Sequence, residues 1–248
     1  MKVALFVPCL TERFDARVAI ASARLLRHLG LAIEVPPAQT CCGQPLKTLG
    51  DPDGAQDLAR RMARVFAAYD AVVTPSASCA GFVRHASDTL GPKLFELSDF
   101  LVTALDFDAS RATWPGRVAL HPSCHQREVA LSGRADHTRA LLSKVNDLIL
   151  VDLPRETQCC GFGGAFSTSF PAISVALGAD KLDAFDISGA DTLVTNDGGC
   201  RLHLRGVADG HRRPTEFKHL AEILAEGLHL MPRPPRLKQP LETMPGAR

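Results

Sequence analysis

An α/β fold of two pseudo-repeated halves, each a short and mostly parallel sheet with flanking helices, is predicted by three observations. The first is an internal repeat. Cys41-Cys42-Gly43 returns as Cys159-Cys160-Gly161, and Val3-Ala4-Leu5 before Cys9 returns as Val118-Ala119-Leu120 before Cys124. Asp70-Ala71-Val72-Val73-Thr74 before Cys79 likewise returns as Asp191-Thr192-Leu193-Val194-Thr195 before Cys200. The period is far longer than that of a solenoid, so this is a duplicated half-domain. The second observation is the alternation of short apolar, β-rich runs with stretches of helical periodicity. The third is that the cysteines follow those runs, in the loops beyond strand ends where parallel sheets bind ligands.

In the first half, residues 2–8 read as a buried parallel strand ending at Pro8-Cys9. Residues 15–29 place Val18, Ala21, Leu25 and Leu29 on one helical face, and Gly30 ends that helix. Residues 31–35 are a second strand running into the Cys41-Cys42 loop. Asp51 and Pro52 are a cap and first-turn pair opening a helix with Leu58, Met62, Val65, Phe66 and Tyr69 along one face. Strands at 71–74 and 93–97 and a helix from Ser98 complete the half. The second half repeats the order: strand 117–120, helix 134–145, strand 148–152, helix 171–187, strand 191–195, strand 214–217 and helix 218–228. The expected boundaries are 1–110 and 111–230 for the halves. Residues 231–248, rich in proline and arginine, read as a disordered tail.

A chain 46% hydrophobic and 22% charged has enough apolar content to bury a core. With a formal net charge of +1, nothing favours nucleic acid or an acidic membrane surface as a partner. No apolar run reaches transmembrane length, and the N-terminal stretch is too short for a signal peptide, so a reducing cytoplasm is the expected location. Eight cysteines in that setting point to metal ligation or redox work more than to structural disulfides.

The cysteines divide into Cys9, Cys41, Cys42 and Cys79, and Cys124, Cys159, Cys160 and Cys200. A single cysteine is often just a small buried hydrophobe, but that does not explain two equally arranged quartets. Vicinal disulfides would leave four thiols unexplained. Zinc sites usually draw on compact C-x2-4-C pairs, which are absent here, although zinc in one half stays open. Soft thiolates separated by whole βα units suit a larger object, an iron–sulfur cluster. A Cys–His nucleophile would explain one cysteine and not the duplication. Gly161-Phe162-Gly163-Gly164 is not a dinucleotide fingerprint, because Phe166 stands where the third glycine belongs. His203 and His219 fall in helical patterns and read as solvated or core residues.

These motifs, over about residues 2–228, resemble the cysteine-rich "CCG" domain family. That family includes the CCG-bearing subunit of heterodisulfide reductase, the iron–sulfur subunits of glycolate oxidase and anaerobic glycerol-3-phosphate dehydrogenase, and a short two-domain lactate-utilisation type most like this chain. The resemblance implies one or two [4Fe–4S] clusters held by the eight cysteines. It also implies an iron–sulfur oxidoreductase subunit acting in oxidation of L-lactate, or another small 2-hydroxy acid, to the keto acid. Electrons would pass to a ferredoxin-type iron–sulfur subunit and other subunits of a lactate-utilisation complex. Two rivals remain: a non-catalytic, metal-stabilised scaffold subunit, and a thiol–disulfide reductase like the heterodisulfide enzyme.

The family's motif closes each half on a C-x-x-C, and this chain departs from it at the first of those two cysteines, where Ser76 and Asp197 stand. An ordinary cluster needs four ligands, so each quartet still suffices. Asp197 is a candidate oxygen ligand or a turn residue. His121 and His125 bracket Cys124 and are candidates for catalytic proton transfer or for a hydrogen bond to cluster sulfur. These three residues make the second half the expected substrate side, and the first half the electron relay.

Overall fold

The computed structural model describes residues 1–131 and 136–235. The first half runs β1 (Val3–Leu5), α1 (Cys9–Phe14), α2 (Ala16–His28), β2 (Ile33–Glu34), α3 (Gln44–Thr48), α4 (Pro52–Val65), β3 (Ala71–Thr74), α5 (Ala77–Ala86), β4 (Leu94–Glu96) and α6 (Leu97–Thr103). The second runs β5 (Thr113–Leu120), α7 (Cys124–Leu131), α8 (His137–Leu142), β6 (Asn146–Val151), α9 (Ala165–Ser169), α10 (Pro171–Ser188), β7 (Thr192–Val194), α11 (Gly198–Gly210), β8 (Glu216–Lys218) and α12 (Leu220–Gly227). The strands form two all-parallel sheets of identical order, β2-β1-β3-β4 and β6-β5-β7-β8. The predicted α/β class and its two halves are therefore what the chain adopts.

Strand alternation explains the layers. Val3 and Leu5 of β1, Val73 of β3, and Val118 and Leu120 of β5 turn into one core that also takes in Leu25, Phe100, Trp114 and Ile223. That core lies between the sheets and belongs to both halves, with α2 packed against α12. The opposite faces of the strands carry separate cores. Ala4, Phe6 and Val72 meet Met62 and Phe66 of the α4 region, while Ala119 and Leu193 meet Leu182, Phe185 and Leu204 of α10 and α11. Cys42 and Cys79 are part of the first outer core, and Cys160 and Cys200 of the second.

Several expectations are corrected. The first strand stops at Leu5, because Pro8 and Cys9 open a helix. Helices also follow each of the other single cysteines, where loops were expected: α5 and α11 carry Cys79 and Cys200 in their first turns, and α7 begins on Cys124. Helix α5 is short and rich in small residues, so its apolar stripe is weak in sequence. The helix expected at 134–145 is α8, shorter at both ends; residues 134 and 135 lie outside the described residues. In the segment expected as a tail, residues 236–248 also lie outside the described residues. Arg233, which does not, sits with its guanidinium 3.6 Å from the centre of the Trp114 ring.

Candidate metal centres

In a parallel sheet of this order, chain connections leave β1 and β3 in opposite directions and open a crevice beyond their carboxyl ends. Cys9 follows β1 and Cys79 follows β3, so those two thiols flank the crevice. Cys41 and Cys42 enter it from the loop after β2. The thiols converge: Cys9 Sγ is 3.8 Å from Cys41 Sγ, and Cys42 Sγ is 3.4 Å from Cys79 Sγ. In the second half Cys160 Sγ lies 3.0 Å from Cys200 Sγ, and Cys124 exchanges a hydrogen bond with Cys159. All eight are free thiols; within each quartet the first two are half-buried and the last two buried.

The glycine after each cysteine pair is required by its surroundings. Gly43 and Gly161 have φ of 107° and 92°. A Cβ on Gly43 would lie 2.5 Å from the carbonyl oxygen of Ala55 in α4, and one on Gly161 2.4 Å from that of Ser174 in α10. Only glycine lets the loop press against its helix while turning both thiols into the crevice.

The thiols share protons unevenly. Hydrogen bonds from Cys42 and Cys9 hold Cys41 far below the usual thiol range. The same contacts, with burial, push Cys42 and Cys9 up. In the second half, the bond to Cys159 and burial push Cys124 up. A soft cation entering either quartet therefore displaces protons as it binds.

The cysteine-rich domain (CCG) model matches residues 3–84 and again 118–205, one match to each quartet. The chain belongs to the CCG cysteine-rich domain family. It is similar to Lactate utilization protein A of Geobacillus thermodenitrificans, with 38% identity over 237 residues, 90% of this chain and 98% of the relative. It is also similar to Lactate utilization protein A 2 of Bacillus mycoides, with 35% identity over the same shares of the two chains. Among solved structures, glutamate racemase RacE1 of Bacillus anthracis aligns over 92% of this chain and 80% of its own, at 11% identity and a TM-score of 0.39. A score that low carries no argument. No helix among the described residues is long and apolar enough to cross a membrane.

The two CCG halves interlock at their cysteine ends. Helix α1, begun by Cys9, packs on α11, and α7, begun by Cys124, packs on α5. Asp197 joins the two. Its Oδ1 accepts from the N–H groups of Gly199 (3.0 Å) and Cys200 (3.4 Å) in its own helix, and its Oδ2 from that of Ser78 (3.1 Å) in the other half. Ser76, at the equivalent place, caps α5 by accepting from the Cys79 N–H at 3.3 Å. The two departures from the family pattern are thus both helix caps, and Asp197 serves both helices.

His125 is half-buried, with its Nε2 3.3 Å from the side-chain nitrogen of Gln44 in the first CCG half. His121 is sealed inside, and neither ring nitrogen has a hydrogen-bond partner among the described residues. Burial pushes its pKa down to about 3, so the ring is neutral. His203 is half-buried beside Ser174, and His219 is buried as the cap of α12. Two cations near the second quartet are not apparent from the cysteine motifs. Arg127 donates to Cys124 Sγ at 3.6 Å, and buried Lys181 donates to the Arg155 and Glu156 carbonyls, with burial lowering its pKa to about 8. Arg127 was findable, standing one helical turn after Cys124.

Proposed function

We propose that this chain is an iron–sulfur oxidoreductase subunit of a lactate-utilisation system, holding one [4Fe–4S] cluster on each cysteine quartet. The observation that carries the reading is the convergence of all eight thiols into two sets at the switch points of two identical sheets. The donor set fits the group: four soft thiols per half, in a partly sealed crevice roofed by a backbone that only glycine permits. Cys9, Cys41, Cys42 and Cys79 would hold the first cluster, and Cys124, Cys159, Cys160 and Cys200 the second. When bound, such clusters take up and release single electrons at potentials tuned by nearby charge and hydrogen bonds.

The substrate class, L-lactate or a related 2-hydroxy acid, is taken from the names of the relatives, and its oxidation to a keto acid releases two electrons and two protons. The electrons would go to a partner subunit with ferredoxin-type clusters, in the cytoplasm. The chain's own residues make the second half the substrate side. Arg127 and Lys181 place positive charge there, which suits a carboxylate. Half-buried His125 is the side chain to which we assign proton transfer from the substrate hydroxyl. Asp197 holds the two helix starts in register, and its carboxylate already carries three N–H bonds. The first quartet would then be the relay.

Iron, sulfide and zinc analysis of anaerobically purified protein tests the reading. Iron with matching sulfide supports it. Stoichiometric zinc without iron would instead favour the scaffold reading, for which the close spacing of Cys160, Cys200 and His121 speaks.

A further inference from the structure

Phe6 and His121 stand at the same point of the two halves. Each follows the inner strand by one residue, and each backbone N–H donates at 2.8 Å to the neighbouring strand, at Val73 and Val194 respectively. Each side chain is on the outer face of its sheet. In the first half that place holds a fully buried ring packed edge-on against Phe66, a purely apolar contact. In the second half an imidazole fills it, 1% exposed, with both nitrogens unpartnered among the described residues. A buried polar group without a partner is costly and rare in a folded protein unless a ligand completes it. What it faces identifies that ligand. A ring nitrogen of His121 and the Sγ atoms of Cys160 and Cys200 all lie within 4.8 Å of one another. That spread is what donors around one metal atom require, with metal–sulfur and metal–nitrogen bonds of roughly 2.3 and 2.1 Å.

We infer that His121 is a nitrogen ligand of the second centre, bound to the same metal atom as Cys160 and Cys200. The neutral ring gives the lone pair of one nitrogen and keeps the proton on the other; the protons displaced on binding come from the thiols. The second half thus offers five donors, four sulfur and one nitrogen, against four sulfurs in the first. Asp197, the other candidate for an extra ligand, is held by backbone N–H groups, whereas His121 is held by nothing else among the described residues.

The inference rests on the metal-holding part of the proposed function, and a direct measurement separates the two. Protein grown on 15N-histidine and, in parallel, on unlabelled histidine is purified anaerobically, reduced with dithionite and studied by pulsed electron paramagnetic resonance. A strong nitrogen hyperfine coupling that changes with the label is expected in the unsubstituted protein. It should vanish in His121→Phe, which copies the first half, and in His121→Cys, which supplies sulfur and keeps the metal. If the second site holds zinc, zinc X-ray absorption asks the same question, through a nitrogen in the metal shell that His121→Cys removes. An all-sulfur shell in the unsubstituted protein, or a nitrogen signal that survives both substitutions, overturns the inference. Failure of the cluster reading would show separately, as missing iron and sulfide.

Discussion

The two cysteine quartets sit on nearly the same backbone and in different chemical company. Strand order, the burial of the last two thiols and the glycine pressed against a helix are repeated. The side chains around them are not. Phe6 gives way to His121, Glu12 to Arg127 and the hydroxyl cap Ser76 to the carboxylate cap Asp197. The comparison separates what holding such a centre demands from what a particular centre is used for. Features found twice are the framework; the polar and cationic residues found once are where chemistry can differ.

The most direct attack on this division is to remove one thiol from each half. Cys42→Ser and Cys160→Ser should each lower iron per chain by about half, leaving the other cluster's absorption in place. Complete loss from either variant would mean that the two centres form together and cannot be compared as independent sites.

Gly43→Ala and Gly161→Ala probe the shared framework. Each adds a Cβ within 2.5 Å of a helix carbonyl oxygen, at a φ that alanine adopts poorly. Both apo proteins should lose about 3 kcal/mol in urea unfolding, and by similar amounts. A large inequality would show that only one of the two loops depends on the close approach.

A third comparison uses pH. Glu96 and His219 cap the equivalent helices α6 and α12, each from a buried site. Burial raises Glu96 to about 7, from an ordinary 4.5, and lowers His219 to about 3, from 6.5. The folded chain holds the Glu96 proton longer than the unfolded one does, so its contribution to stability falls as pH rises from about 4.5 to about 7. His219 resists protonation when folded, so its contribution falls as pH drops from about 6.5 to about 3. Over the shared range the slopes oppose and largely cancel. Glu96→Gln should expose the fall toward acid, on the order of 5 kcal/mol over its window, and His219→Asn the fall toward neutral pH, on the order of 3 kcal/mol. Unfolding curves of apo protein across pH, unchanged in slope by both substitutions, would refute this pairing.

The smallest effect concerns the caps. Ser76→Ala should cost about 1 kcal/mol and Asp197→Ala about 2 kcal/mol, because Asp197 carries three N–H bonds and a charge. Equal losses would remove Asp197 from its place as the link between the halves.

Much of this was legible in the sequence, because duplication and cysteine position are written in residue identity. The strand runs Val3-Ala4-Leu5 and Val118-Ala119-Leu120 announced themselves by apolar content, and the thiols did fall beyond their carboxyl ends. What escaped was long-range. Nothing local in Asp197 says that its second oxygen reaches Ser78, since that contact depends on how α5 and α11 approach each other. His121 read as a neighbour of Cys124, yet the extended backbone at the end of β5 turns its ring toward Cys160 and Cys200 instead. Helix α5 hid because its stretch, Ala-Ser-Cys-Ala-Gly-Phe-Val, has too many small residues to show a stripe.

The core shared between the sheets has a consequence for how the chain is made. Helix α2 finds its packing partner, α12, only after about two hundred further residues have been synthesised, a contact of very high sequence separation. Until then Leu25, Leu26 and Phe100 have no cover from Ile223 and Leu224. The first half thus waits on the ribosome with an open apolar face, the condition under which nascent chains aggregate or engage chaperones. Ion pairs from half-buried Arg17 to the buried carboxylates of Glu222 and Glu226 join the same two helices, so the later of the two also completes the charges of the earlier.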